Sequence, residues 1–225
     1  MLSRTAESFF WIGRYIERAE YTARFANVHY HLIMEIANWD EQAVTWQQYL
    51  EGNGEFPLYQ ELHGPLNTPT VLEFLTLNHQ NPNSLVSLVQ GARANARGIQ
   101  DQLSSEVWQH LNDFYLSLNG QTPVDLWTSP HRILVHIQNT CYTLDGVISN
   151  TMLHDEGLNF YLLGKNVERA SRTARLLDHP TLVTAAPEPS AISEHHHCLA
   201  ILKSASGYEA YRKFYPSHLV PRKIV

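Results

Sequence analysis

Phe9-Phe10-Trp11-Ile12-Gly13-Arg14-Tyr15-Ile16-Glu17-Arg18-Ala19-Glu20-Tyr21-Thr22-Ala23-Arg24 is the stretch on which the reading of the fold turns. Its apolar residues Phe9, Ile12, Ile16, Ala19 and Ala23 recur at alternating steps of three and four, and the pattern continues through Ala26, Tyr30, Ile33 and Ala37. At 3.6 residues per turn this spacing lays one apolar seam along a single helix, predicted over residues 3–37 with Ser3 as its N-cap. Gly13, Glu17, Glu20 and Arg24 form a second stripe beside that seam.

The same pattern returns later in the chain. Met1 to Arg24 aligned without gaps on Met152 to Arg175, an offset of 151, gives ten identities in 24 positions, where chance gives about one or two. Gly13-Arg14-Tyr15-Ile16-Glu17-Arg18-Ala19 corresponds to Gly164-Lys165-Asn166-Val167-Glu168-Arg169-Ala170. The apolar seam repeats as Phe160, Leu163, Val167, Ala170, Ala174 and Leu177, and the second stripe as Gly164, Glu168, Ser171 and Arg175. The expected fold is therefore an all-α helical bundle with an internal duplication. Long helices over 3–37 and 155–178 are related by a pseudo-two-fold, with a first repeat of about 1–150 and an incomplete second of about 152–225. Residues 1–225 are expected to form one domain, interrupted by a linker over 179–193 that carries Pro180, Pro187 and Pro189.

Helical periodicity dominates between the repeats as well. A short helix is predicted over 45–50, then a Gly/Pro-rich connection from Gly52 to Pro69. One long helix is expected from Asn83 or Ser84 to about Leu118, relaxed near Gly98 and ended by Asn119-Gly120 and Pro123. Pro130 opens another that runs to about Asn150. A last helix is predicted from Glu194 toward Tyr215.

Charge and cysteine usage exclude several classes. With 16 basic and 22 acidic residues the net charge is −6, and no Lys or Arg lies between Arg24 and Arg93. A nucleic-acid binder needs a basic stripe to displace phosphate counterions, and none is present. The acidic stretch reads as a solvated face or as a docking face for a basic partner. Only Cys141 and Cys198 occur, in no Cys-x-x-Cys pairing, and the apolar cluster at residues 9–12 is too short for a signal peptide or a membrane span. The expected compartment is the cytoplasm.

The Glu and Arg of the second stripe carry the candidate chemistry. One reading is structural: Glu17 pairs with Arg175 and Glu168 with Arg24 across the pseudo-two-fold. The other is a charged pocket between the repeats, with Glu17 and Glu168 as candidate acid/base groups and Arg14, Arg18, Glu20, Arg24, Arg169 and Arg175 as candidate substrate-binding residues. A carboxylate-bridged metal centre is a third possibility. Glu194 and His197 form the sole Glu-x-x-His pair, whereas a di-iron bundle wants two such pairs, so no metal ligand is assigned. The repeat offset places His197 at the position of Trp46, a packing position. No nucleophile elbow, phosphate loop or HExxH motif occurs, and no cofactor is assigned.

Several segments together resemble the bacterial alpha-E family, which is all-helical and has no established activity. They are Met1-Leu2-Ser3-Arg4 with Trp11 and Arg14 to Glu20, Arg93-Ala94-Asn95-Ala96-Arg97 with Ser105-Glu106-Val107-Trp108, Asp155-Glu156-Gly157, Glu168-Arg169-Ala170, Thr173 to Asp178, and Tyr208-Glu209-Ala210-Tyr211-Arg212. The resemblance implies an accessory role beside a circularly permuted ATP-grasp ligase, a transglutaminase-like protein and sometimes a proteasome-like peptidase. Such neighbours imply formation or processing of peptide amide bonds. Members of the family usually continue beyond the point matching Val225, so the chain is expected to be a short or truncated member. Its second long helix would then lack middle-helix cover along Phe160, Leu163 and Val167. That stripe is expected to be hidden by a homodimer, by a partner protein, or by the linker and last helix.

Overall fold

The computed structural model describes residues 1–35, 39–178, 191–215, 219–220 and 223–224, with the backbone alone for 39–41, 191–194 and 196–197. Among the described residues there is no strand. The helices are α1 (Ser3–Met34), α2 (Trp39–Gly52), α3 (Phe56–His63), α4 (Thr68–Thr76), α5 (Leu85–Gly98), α6 (Ser105–Asn119), α7 (Pro123–Thr128), α8 (Pro130–Thr151), α9 (Glu156–Leu177), α10 (Ala191–Ser204) and α11 (Tyr208–Phe214).

Local chemistry explains most boundaries, including those that differ from the sequence reading. The helix expected from residue 83 to 118 is two helices: the first ends at Gly98, a 3-10 turn follows over Gln100–Gln102, and Ser104 turns extended with its hydroxyl accepting from the Val107 amide to cap a new N-terminus. Ser84 does the same for α5 by accepting from Ser87. Pro123 opens α7 as well as following α6: Thr122 and Asp125 form a reciprocal capping box there. The Gly/Pro-rich connection holds a helix of its own, α3, with Pro57 in its first turn and Gly64 at φ +73° closing it. The helix predicted to begin at Pro130 is α8.

The chain forms two compact units. The first comprises Met1–Asn27 and Pro69–Ala170, the second Val28–Thr68 and Ser171–Val225. In the first unit α1 is central, buried on its apolar seam and on its Gly/Glu stripe alike. Phe9 and Ile12 meet Leu103, Val107, Ile148, Met152 and Tyr161 around one small crevice. In the second unit Trp46 is fully enclosed and donates its indole N–H to Thr68 Oγ1 at 3.0 Å. Arg172 reaches Asn53 Oδ1 at 2.7 Å, and Arg175 the Asn53 carbonyl at 3.4 Å. Among the described residues no helix is long and apolar enough to cross a membrane.

In α9 the stripe expected to lack middle-helix cover is exposed within the chain. The residues α9 buries are Gly157, Leu158, Tyr161, Gly164, Glu168, Arg172 and Leu176, while the apolar seam Phe160, Leu163, Val167 and Ala170 faces outward. Hydrophobic periodicity assigns the apolar side inward. Here the inner face carries two charges, Glu168 and Arg172, among Leu158, Tyr161 and Leu176, and each of the two meets an opposite charge or a hydrogen-bond partner.

Candidate functional site: a reciprocal Glu-Arg clamp

α1 and α9 run in the same sense, since their contacts advance together from Met1 beside Glu156, through Gly13 beside Tyr161, to Glu17 beside Arg169. They approach closely because each brings a glycine to the crossing. A methyl at Gly13 would overlap the Tyr161 carbonyl oxygen and lie 2.9 Å from the Lys165 nitrogen, and one at Gly164 would overlap the Phe10 carbonyl oxygen. Under the offset of 151, Phe10 and Tyr161 are equivalent positions, so each glycine is seated on the same point of the other helix.

One turn further on, the side chains repeat this reciprocity. Arg169 donates Nε to Glu17 Oε1 at 2.6 Å and Nη2 to Oε2 at 2.9 Å. Arg18 donates Nε to Glu168 Oε1 at 2.7 Å and Nη2 to Oε2 at 3.0 Å. Both are two-pronged guanidinium–carboxylate pairs, the geometry that gives such ion pairs their directionality. Glu17 is 4 % and Glu168 1 % exposed, so the glycine crossing delivers two carboxylates into the interior only where two guanidinium groups meet them. Glu168 accepts a further bond from Arg14 Nε at 2.8 Å, and Arg18 also donates to Asn83 Oδ1 at 2.8 Å. The Glu17 hydrogen bond holds the Arg169 guanidinium charged beyond its ordinary range.

The pairing expected from the stripes is therefore corrected. Glu17 is held by Arg169 instead of Arg175, and Glu168 by Arg14 and Arg18 instead of Arg24. The reason is side-chain reach: from a close crossing the long Arg at the position after each Glu meets the opposite Glu. Arg24 lies seven residues beyond Glu17 and folds back on its own helix to Glu20, at 2.5 and 2.6 Å. Arg175 belongs to the Asn53 contact of the second unit. Lys165, equivalent to Arg14, departs from the reciprocity by turning to Asp145 of α8 at 2.5 Å.

α8 adds residues that the stripe reading omitted. Tyr142 OH donates to Glu20 Oε1 at 2.8 Å, Gln138 Nε2 donates to the same oxygen at 3.2 Å, and Tyr161 OH donates to Asp145 Oδ1 at 2.5 Å. Gln138, Tyr142 and Asp145 stand at i, i+4 and i+7, a polar stripe beside the buried Leu134, Ile137, Cys141, Leu144 and Ile148, and that spacing was the available signal. Burial pushes the Cys141 thiol well above its ordinary 9.0, helped by the charges of Glu20, Asp145 and Glu17. It pushes the Tyr161 phenol well above 10.0, with Asp145 adding to it. Tyr142 is raised too, by burial first and then by the Glu20 charge.

These shifts predict an alkaline weakness. The folded chain keeps Cys141 and Tyr161 protonated where the unfolded chain ionises them, at 9.0 and 10.0. Above those values the unfolded state binds fewer protons, so stability from these groups is complete below pH 9.0 and falls as pH rises. The fall approaches about 1.4 kcal/mol per pH unit for each group fully engaged. Urea midpoints measured from pH 7 to 11 should decline from about pH 9, and Tyr161→Phe with Cys141→Ala should flatten that decline. An unchanged slope in the double variant would contradict the assignment.

Among the described residues no three His, Cys, Asp or Glu side chains converge as metal ligands. The Glu194 and His197 side chains lie outside the described residues.

The chain contains two Glu-Arg dipeptides, Glu17-Arg18 and Glu168-Arg169, and they are the four residues of the clamp. A family model described as a predicted alpha-helical domain with a conserved ER motif, Alpha-E, matches residues 1–225. The chain belongs to the Alpha-E family. In this member each Glu of one ER pair is bound by the Arg of the other. An uncharacterized protein of Mycobacterium bovis and another of Mycobacterium tuberculosis are each 29% identical to it over 193 residues. The match takes in 77% of this chain and 22% of each relative, so the Alpha-E chain spans under a quarter of the length of these relatives. No solved structure matches it.

Proposed function

We infer that this Alpha-E chain is an accessory helical protein acting in the cytoplasm beside an ATP-grasp ligase and a transglutaminase-like protein, in forming or processing peptide amide bonds. The observation that carries this reading over a stand-alone enzyme is the state of Glu17 and Glu168. An acid or base needs a proton-accepting lone pair near substrate, whereas every oxygen of these two carboxylates accepts from a guanidinium. That arrangement serves a rigid joint. The partial span of the match on the mycobacterial relatives supports a helical part working beside other domains. The same reading takes α1 and α9 as two copies of one duplicated helix, with the reciprocal clamp as their joint.

The test is affinity capture of the natural complex, followed by an ATP-dependent peptide ligation assay with and without this chain. Added chain is expected to raise or redirect ligation, and Glu17→Gln, in protein shown to be folded, is expected to leave that effect intact. Turnover by the chain alone, lost in Glu17→Gln or Glu168→Gln, would favour the stand-alone enzyme.

A further inference from the structure

The outward seam of α9 is an apolar helix face whose shape identifies an occupant. Phe160, Leu163 and Val167 are 36, 51 and 41 % exposed, while their equivalents in α1, Phe9, Ile12 and Ile16, are 3, 2 and 1 %. In α1 that face is covered by aliphatic residues of α6, α8 and their flanks. In α9 the seam continues to Ala170, also exposed, giving steps of 3, 4 and 3 that match the contact line of paired helices. Phe160 and Leu163 also border a groove of about 500 Å³ that Met1, Ala6 and Phe10 line together with the polar Ser3, Glu7 and Glu156. Exposed apolar patches of this kind mark association surfaces.

Side-chain size falls steadily over the first four positions of the seam, from Phe160 through Leu163 and Val167 to Ala170. Two such tapers laid parallel would set Phe against Phe and Ala against Ala, leaving the helices splayed. Laid antiparallel about a two-fold between Leu163 and Val167, they set Phe160 against Ala170 of the other copy and Leu163 against Val167. Large then meets small at these four positions, and the interaxial distance stays constant over them. We propose that the chain associates with a second copy of itself through an antiparallel α9–α9 contact in this register.

Sedimentation equilibrium of the full chain from nanomolar to tens of micromolar tests it. The wild-type chain is expected to be a concentration-dependent dimer, and Leu163→Glu a monomer with unchanged far-UV circular dichroism, since that position is exposed within the chain. Phe160→Ala and Ala170→Phe are each expected to weaken the dimer by about tenfold or more, the first leaving a hole and the second a clash. Together in one chain they exchange large and small across the two-fold, and the dimer is expected to return to within about threefold of wild type. A wild-type monomer over the whole range, whatever other segment or protein covers the seam, overturns the proposal. So does a dimer indifferent to Leu163→Glu, or one that the paired exchange fails to restore.

Discussion

Gly164→Ala is expected to destabilise the chain by about 3 kcal/mol or more, a large part of the ~5–15 kcal/mol that holds a domain folded. Helix propensity alone predicts the opposite, a gain of about 1 kcal/mol, because alanine restricts the unfolded chain. The crossing decides the sign. A methyl on Gly164 overlaps the Phe10 carbonyl oxygen and lies 2.8 Å from the carbonyl carbon, and these are backbone atoms of α1 that no rotamer change can move aside. The helices would have to part, which also pulls apart the guanidinium–carboxylate pairs one turn away. Gly13→Ala should behave alike, since the atoms it meets are the Tyr161 carbonyl and the Lys165 nitrogen. Gly146 supplies the control, because it lies within α8 and a methyl added there meets nothing within 4 Å. Gly146→Ala should stabilise by about 0.5–1 kcal/mol. Urea midpoints at constant m-value would measure all three, and a Gly164→Ala protein as stable as wild type would show that α1 and α9 do not cross there.

Glu168→Ala is expected to cost about 3–5 kcal/mol, and Glu17→Ala about 1–2 kcal/mol, although the two residues are equivalent under the offset. The difference lies in what each leaves behind. Removing Glu168 strands Arg14 and Arg18, whose side chains are only 22 and 16 % exposed and lose their sole shared carboxylate within the clamp. Removing Glu17 strands Arg169, 57 % exposed, which water can solvate. Breaking one side of a buried pair is expensive because the remaining charge stays desolvated, and that penalty shrinks as the partner reaches solvent. Denaturant titration of both variants checks the order. Equal losses would mean that solvation of the abandoned arginines does not set the cost. The double variant Glu168→Ala/Arg18→Ala should recover part of the loss, as removal of the second partner removes a stranded charge.

The sequence by itself determined that the chain is helical, where its long helices run, and that α1 and α9 carry matching Gly, Glu and Arg positions. These follow from local causes: seam spacing, Pro130 at a helix start, and a glycine at the same place in two similar segments. The single helix expected over 83–118 stops at Gly98, where the periodic pattern only relaxes, and restarts behind the Ser104 cap. Tertiary structure alone decided which arginine meets which glutamate. The stripes offered Arg24 and Arg175, but how far a side chain reaches across a crossing depends on its distance and angle, so Arg18 and Arg169 hold the carboxylates. It alone decided that the inner face of α9 buries Glu168 and Arg172 beside Leu158, Tyr161 and Leu176. Periodicity locates an apolar face and carries no information about its neighbour. Whether a charged face can be buried depends on opposite charges supplied by residues about 150 positions away in the chain.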